Sequence, residues 1–203
     1  MGQVRANAMK TGRPREFSED EALDAAMRVF WEKGYEGASL DDLTQAMRIN
    51  RSSLYSTFGD KETLFRRVLS RYKAGPMGSV FAALEQPTAR AAIETLLRSA
   101  VRFLGDATHP PSCLSLTGGL ACGTGAEGVR RAMIDWRIGG LTRIQNRMRQ
   151  ARAEGDLPKD VDPKDLARYV AIVLHGLSVQ AANGATATEM SRAVELALRS
   201  MPL

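Results

Sequence analysis

Apolar residues recur every three to four positions along most of this chain, and glycine and proline cut the pattern into helix-length pieces. In the first piece, Ser18 to Lys33, the residues Ala22, Leu23, Ala26, Met27, Val29 and Phe30 fall on one face. Ser18 and Glu21 read as a capping box at its start, and Gly34 as a left-handed stop at its end. Leu40, Leu43, Ala46 and Met47 mark a short second helix with Ser39 as its cap and Asp42 three residues on. After a break at Arg48, Ile49 and Asn50 comes a third, from about Arg51 to Thr57. Its inward anchors are Leu54 and Phe58, four residues apart. Asp60 caps a fourth helix, which Leu64, Phe65, Val68, Leu69 and Tyr72 carry to Gly75 and Pro76.

The remaining pieces are longer. The pattern predicts helices from about Thr88 to Leu104, Glu127 to Glu154, Pro163 to Ala182 and Thr188 to Ser200. Between Gly105 and Gly125 it is interrupted, with room for one short helix. No stretch alternates as a strand does, so an all-α fold of about nine helices is expected.

Composition agrees and adds three constraints. Aromatic residues are 6% of the chain while alanine and leucine are plentiful, which favours helix. Two cysteines, Cys113 and Cys122, do not suggest a disulfide-stapled secreted fold. No apolar signal region or run long enough to span a bilayer is present, so a soluble cytoplasmic chain with no membrane partner is expected. The net charge of +5 is unevenly placed: Arg5, Lys10, Arg13 and Arg15 all precede the first acidic residue. Such an arm reads equally as a phosphate contact or a solvated tail.

Three short helices within sixty residues, the last two joined by a tight break, suit a helix-turn-helix. In the third, Leu54 and Phe58 turn inward and leave Arg51, Ser52, Ser53, Tyr55 and Ser56 outside. Short hydroxyls and one guanidinium are fitted to phosphates and base edges. In the arm, Gly12-Arg13-Pro14-Arg15 is extended and carries arginines suited to a narrow minor groove.

At these residues a resemblance becomes specific. From Gly12 to Phe65 the chain resembles the DNA-binding domain of the TetR/AcrR family. The match rests on Ala25-Ala26, Phe30, Gly34-Tyr35, Ser39-Leu40, Leu43, Ala46 and Ile49, then on Ser53-Leu54-Tyr55, Phe58-Gly59-Asp60-Lys61-Glu62 and Leu64-Phe65. One departure stands out: where the family has glycine between its second and third helices, this chain has Arg48. Arginine can take the left-handed conformation required there at a cost of about 1 kcal/mol.

The resemblance implies a flexible arm over residues 1–15, a helix-turn-helix domain over 16–62, and a helical ligand-binding and dimerisation domain over 63–203. It implies that Tyr55 and Lys61 hold phosphates, that Arg51, Ser52 and Ser53 approach base edges, and that Thr44 and Gln45 reach the groove edge. The partners it implies are double-stranded operator DNA, a second copy of the chain and an unknown small-molecule effector, with no cofactor, no metal and no enzymatic activity. Pairing through the last two long helices would use Tyr169, Val173, Leu177, Met190, Val194, Ala197 and Leu198. Physically, residues 166–177 are apolar on more than one face, as a helix buried on both sides must be. Candidate linings for the effector cavity are Phe81, Ile93, Leu97, Val101, Phe103, Leu104, Cys113, Leu114, Leu120, Met133 and Trp136. The function implied is repression, released from a palindromic operator by the effector. Alternatives are a thiol-based redox or electrophile sensor of the same fold acting through Cys113 or Cys122, a cysteine-dependent enzyme, and a helical module without DNA affinity. His175 reads as a dimer-core histidine, and the arginines of the Glu127–Glu154 helix mostly as a solvated face.

Overall fold

The computed structural model describes residues 18–117 and 125–203. The expectations for Arg13, Arg15, Leu120 and Cys122 lie outside the described residues. The elements run α1 (Glu19–Gly37), α2 (Leu40–Met47), α3 (Arg51–Phe58), α4 (Lys61–Ala74), α5 (Pro76–Phe81), a 3-10 turn (Ala82–Glu85), α6 (Ala89–Leu104), α7 (Leu114–Thr117), α8 (Glu127–Ala153), α9 (Pro163–Ala182) and α10 (Ala187–Ser200). Among the described residues there is no strand, and no helix is long and apolar enough to cross a membrane.

Side-chain caps set most helix starts. Ser18, Asn50, Asp60, Thr88 and Asp162 each accept a backbone N–H of the first turn, and Ser39–Asp42 and Thr186–Glu189 form complete capping boxes. Gly34 has φ +70°, the left-handed value expected of a stop, but one further turn of α1 follows it to Gly37. The sequence pattern omits α5. Gly75-Pro76 reads as an end, yet proline at the first helical position loses no hydrogen bond and also starts a helix.

Two hydrophobic cores result. The first joins α1 to α4 around Phe30, Leu43, Leu54, Phe58, Phe65 and Tyr72, and extends to Leu114 of α7 and to Val129 and Met133 of α8. The second joins α5, α6, α9, α10 and the distal half of α8 around Ile93, Leu97, Met148, Val170 and Val194. The apolar face of α4 therefore packs with α1–α3 throughout, although the sequence expectation divides the chain at its first turn. Two-sided salt links register it: Arg67 pairs with Glu19 at 2.9 Å, and Arg71 with Asp20 at 2.7 Å and with Asp24. Such partly exposed pairs add little stability, and their role here is to fix α4 against α1.

Of the arginines of α8, Arg130, Arg131, Arg143 and Arg149 are exposed as expected, and three others turn inward. Arg147 is buried and donates to the carbonyls of Gln86 and Pro87, which follow the 3-10 turn. Arg137 donates to the Ser115 carbonyl, and Arg152 to those of Pro158 and Val161. Carbonyls left open where a helix or turn ends need donors, and a long guanidinium supplies several at once.

Candidate nucleic-acid interface

The surface of α3 is built by its own spacing. Leu54 and Phe58 are buried to 0% and 1% exposure, and this fixes which side of the eight-residue helix faces outward. Arg51, Ser52, Tyr55 and Ser56 are exposed there and Ser53 is half-buried. Tyr55 is 51% exposed, unusual for an aromatic ring on a helix this well anchored. The Arg51 guanidinium lies 2.8 Å from Asp41 of α2. Both side chains are well solvated, so exchanging this carboxylate for a phosphate or base costs little.

The turn before α3 holds the strained residue. Arg48 has φ +55° and ψ +39°, and its N–H reaches the Gln45 and Thr44 carbonyls. It is the only non-glycine with positive φ among the described residues. An Arg48→Gly substitution should relieve about 1 kcal/mol of strain and raise the melting temperature by about 2–4 °C. Calorimetry checks this, and a lowered midpoint would show that the arginine side chain stabilises the turn by another route.

Around this helix, Gln45 is exposed and the Thr44 hydroxyl donates to the Leu40 carbonyl at 2.9 Å. Asp42 accepts from Lys33 and from Ser39, and these bonds hold its carboxyl far below the ordinary carboxylate range. Lys61 opens α4 with its ammonium 4.5 Å from the centre of the Tyr35 ring. Partial burial pushes its pKa down, opposed by Glu36. Lys61 is the first residue of α4, and the start of a helix together with a cation favours a phosphate.

A cavity of about 50 Å³ lies behind this unit. Of the residues expected to line it, Phe81, Phe103, Leu104, Cys113 and Trp136 do so. Leu97 and Val101 pack in the second core, and Leu114 and Met133 in the first. The sequence pattern misses Met77, Val80, Ala100, Leu174, His175 and Ser178, which complete the wall. His175 thus faces the cavity, where burial and then Arg137 lower its pKa. The Cys113 sulfur accepts from the Tyr72 hydroxyl at 3.5 Å and meets the Ser115 hydroxyl at 3.1 Å.

The cavity wall is continuous with the N-terminal unit. Trp31 of α1 stacks on Phe103 and on His109, with ring centres 5.7 and 4.7 Å apart, and donates to the Ser112 carbonyl at 2.8 Å. Tyr72 of α4 touches Trp31 edge-on and Trp136 at a tilt. Further along, Arg66 of α4 donates to the Gly128 carbonyl at 2.9 Å and also binds Glu62. A Cβ on Gly128 would stand 2.1 Å from the Glu62 carboxylate, so a larger residue there would have to displace the Glu62–Arg66 pair.

On α9 and α10, Leu177, Met190, Val194, Ala197 and Leu198 are buried inside the chain's own core, and Val173 is half-buried. Tyr169 remains 39% exposed, and with it stand Ile172 at 60%, Val179 at 46% and Leu196 at 62%. Tyr169, Ile172, Gly176 and Val179 step by three and four along one side of α9. Tyr169 also meets the Ser200 hydroxyl of α10, one turn beyond Leu196. These residues form an apolar strip across both helices that the isolated chain leaves uncovered.

Residues 22–68 match the family described as bacterial regulatory proteins, tetR family. The chain is 28% identical over 195 residues to the HTH-type transcriptional repressor ComR of Escherichia coli K12, covering 94% of this chain and 92% of that one. Among solved structures, a cysteine mutant of the TetR family transcriptional regulator CifR, in complex with 26-base-pair operator DNA, superposes with a TM-score of 0.91 at 41% identity. That match covers 94% of this chain and 100% of the other. A TetR regulator from Rhodococcus sp. RHA1 is 37% identical with a TM-score of 0.61, covering 89% and 97% of the two chains.

Proposed function

This chain belongs to the TetR family of bacterial regulatory proteins, and on that premise we propose that it is a cytoplasmic transcriptional repressor that grips a two-fold operator as a homodimer and releases it when a small molecule binds. The observation that carries the reading is the outward face of α3. It is polar, exposed and rigidly backed by Leu54 and Phe58. A 41% identical relative bears the same fold on operator DNA.

In this reading Arg51, Ser52, Ser53 and Ser56 address base edges, with Thr44 and Gln45 at the groove edge. Tyr55 and Lys61 hold the flanking phosphates. Arg13 and Arg15 of the arm follow the neighbouring minor groove. Two copies join through the strip of Tyr169, Ile172, Val179 and Leu196, so that two α3 helices face successive grooves. The chain acts by binding and not by turning over a substrate.

The packing supports the release step of this reading. Phe103 and Trp136 line the cavity and also touch Trp31 of α1 and Tyr72 of α4. At about 50 Å³ the cavity is too small for an ordinary effector unless these walls move. A ligand that binds only the expanded form shifts the population toward it, and α1 and α4 move with the shared aromatic rings. A coupling of about 1–3 kcal/mol would lower operator affinity roughly 5–150-fold.

A salt titration tests the DNA reading. Logarithmic affinity for a duplex should fall linearly with logarithmic salt, by about 0.9 per phosphate neutralised. With six or more contacts, roughly a thousandfold is lost between 50 and 200 mM. A flat profile would remove duplex binding from the account.

A further inference from the structure

A second cavity, of about 170 Å³, opens beside the first and shares Met77, Phe81 and Trp136 with it. Lys73 and Arg143 stand at its rim. Neither cation has a carboxylate partner among the described residues: Arg143 lies over the Phe81 ring at 4.7 Å, and the one acid on the rim, Asp135, faces Arg131 at 3.4 Å. The floor is apolar and aromatic. The indole N–H of Trp136 is buried there without an acceptor.

The glycine pair of α8 opens this groove. Two adjacent glycines in mid-helix are costly to helix stability. A Cβ at Gly139 would meet nothing within 4 Å, whereas one at Gly140 would stand 3.1 Å from Phe81. Gly139 thus keeps the groove empty, and Gly140 lets the Phe81 ring lie against the helix between the two cavities.

We infer that the two cavities form one effector site, and that it takes a small amphiphilic carboxylate. The inference rests on the ligand-released repressor reading above. The carboxylate is held at the rim by Arg143 and Lys73, a guanidinium being able to donate two parallel hydrogen bonds to its oxygens. The apolar body lies on Met77, Phe81 and Trp136 and displaces Phe81 to reach the inner chamber. An uncharged ligand would leave both cations unused, and a cationic one would be repelled by them.

Isothermal titration of the full chain with 4-phenylbutyrate, 4-phenylbutan-1-ol and 4-phenylbutylamine tests this. The acid should bind at least about tenfold more tightly than the alcohol, and the amine should bind least. Arg143→Gln and Lys73→Gln should each weaken the acid by about that factor and leave the alcohol unchanged. Gly139→Leu, whose side chain has room to grow into the groove, should abolish binding while raising the melting temperature, so that its effect is not one of unfolding. No binding of the acid, equal binding of the alcohol, or undiminished binding by Gly139→Leu would overturn the proposal. Operator release, read by fluorescence anisotropy, separates the two levels. Release by the alcohol but not the acid overturns this ligand class and keeps the repressor reading. Binding of the acid with the expected variant profile, but without release, supports the site and overturns the reading.

Discussion

Replacing Tyr55 and Lys61 together by alanine weakens binding to a two-fold operator duplex by roughly 100-fold or more, and leaves fold and dimer intact. Both residues recur in each subunit, so four contacts are lost. About 0.7–1 kcal/mol from each gives that factor. The structure makes the test clean. Tyr55 projects from α3 with half its surface in solvent, and Lys61 is partly exposed over the Tyr35 ring, so neither removal opens a core cavity. The salt slope should also fall by about 2, since one lysine–phosphate contact disappears per subunit. Anisotropy titration gives the affinity and sedimentation velocity the dimer. Unchanged affinity would mean that these residues do not face DNA, and an equal loss without a change in slope would point to altered packing of α3.

Glutamate at Ile172 and Leu196 should convert the protein into a folded monomer whose affinity for the same duplex drops by roughly 10²–10⁴. Both side chains are about three-fifths exposed in the single chain, so the charge costs the subunit almost nothing. In a dimer it would be buried opposite its own copy, without a partner. Gly176 lies between Ile172 and Val179 with open space where a Cβ would be, which permits a second helix to approach closely. Loss of pairing turns one divalent event into two weak ones, and the avidity of linked half-sites is lost with it. Sedimentation equilibrium reads the mass, and circular dichroism verifies the fold. A dimer that persists would place the interface on another surface.

These two sites differ in how far the chain's pattern reveals them. At α3 the reading is nearly complete, because Leu54 and Phe58 four apart leave one possible outer face. The left-handed turn at Arg48 is legible only through the family resemblance, which has glycine there; the break alone does not fix its backbone conformation. On α9 and α10 periodicity finds the stripes but not which body covers each. Met190, Val194 and Leu198 are as apolar as Ile172 and Leu196, and only the position of α6 shows that they turn inward. The apolar surround of α9 does signal two covered sides, without sorting them. The cavity is harder still, since Met77, Val80, Leu174 and Ser178 come from two distant elements and one of these, α5, hides behind a proline that reads as a stop. Arg147 shows the same limit. Its charge predicts solvent, but carbonyls left open by a distant turn draw it inside.

The central claim is that two α3 helices read one two-fold site. Selection of bound duplexes from a random pool, using the full chain, tests it most directly. The account predicts an enriched inverted repeat whose half-sites are centred about one helical turn, or a multiple of it, apart. Enrichment of a single unrepeated element, or of no sequence at all, would contradict it.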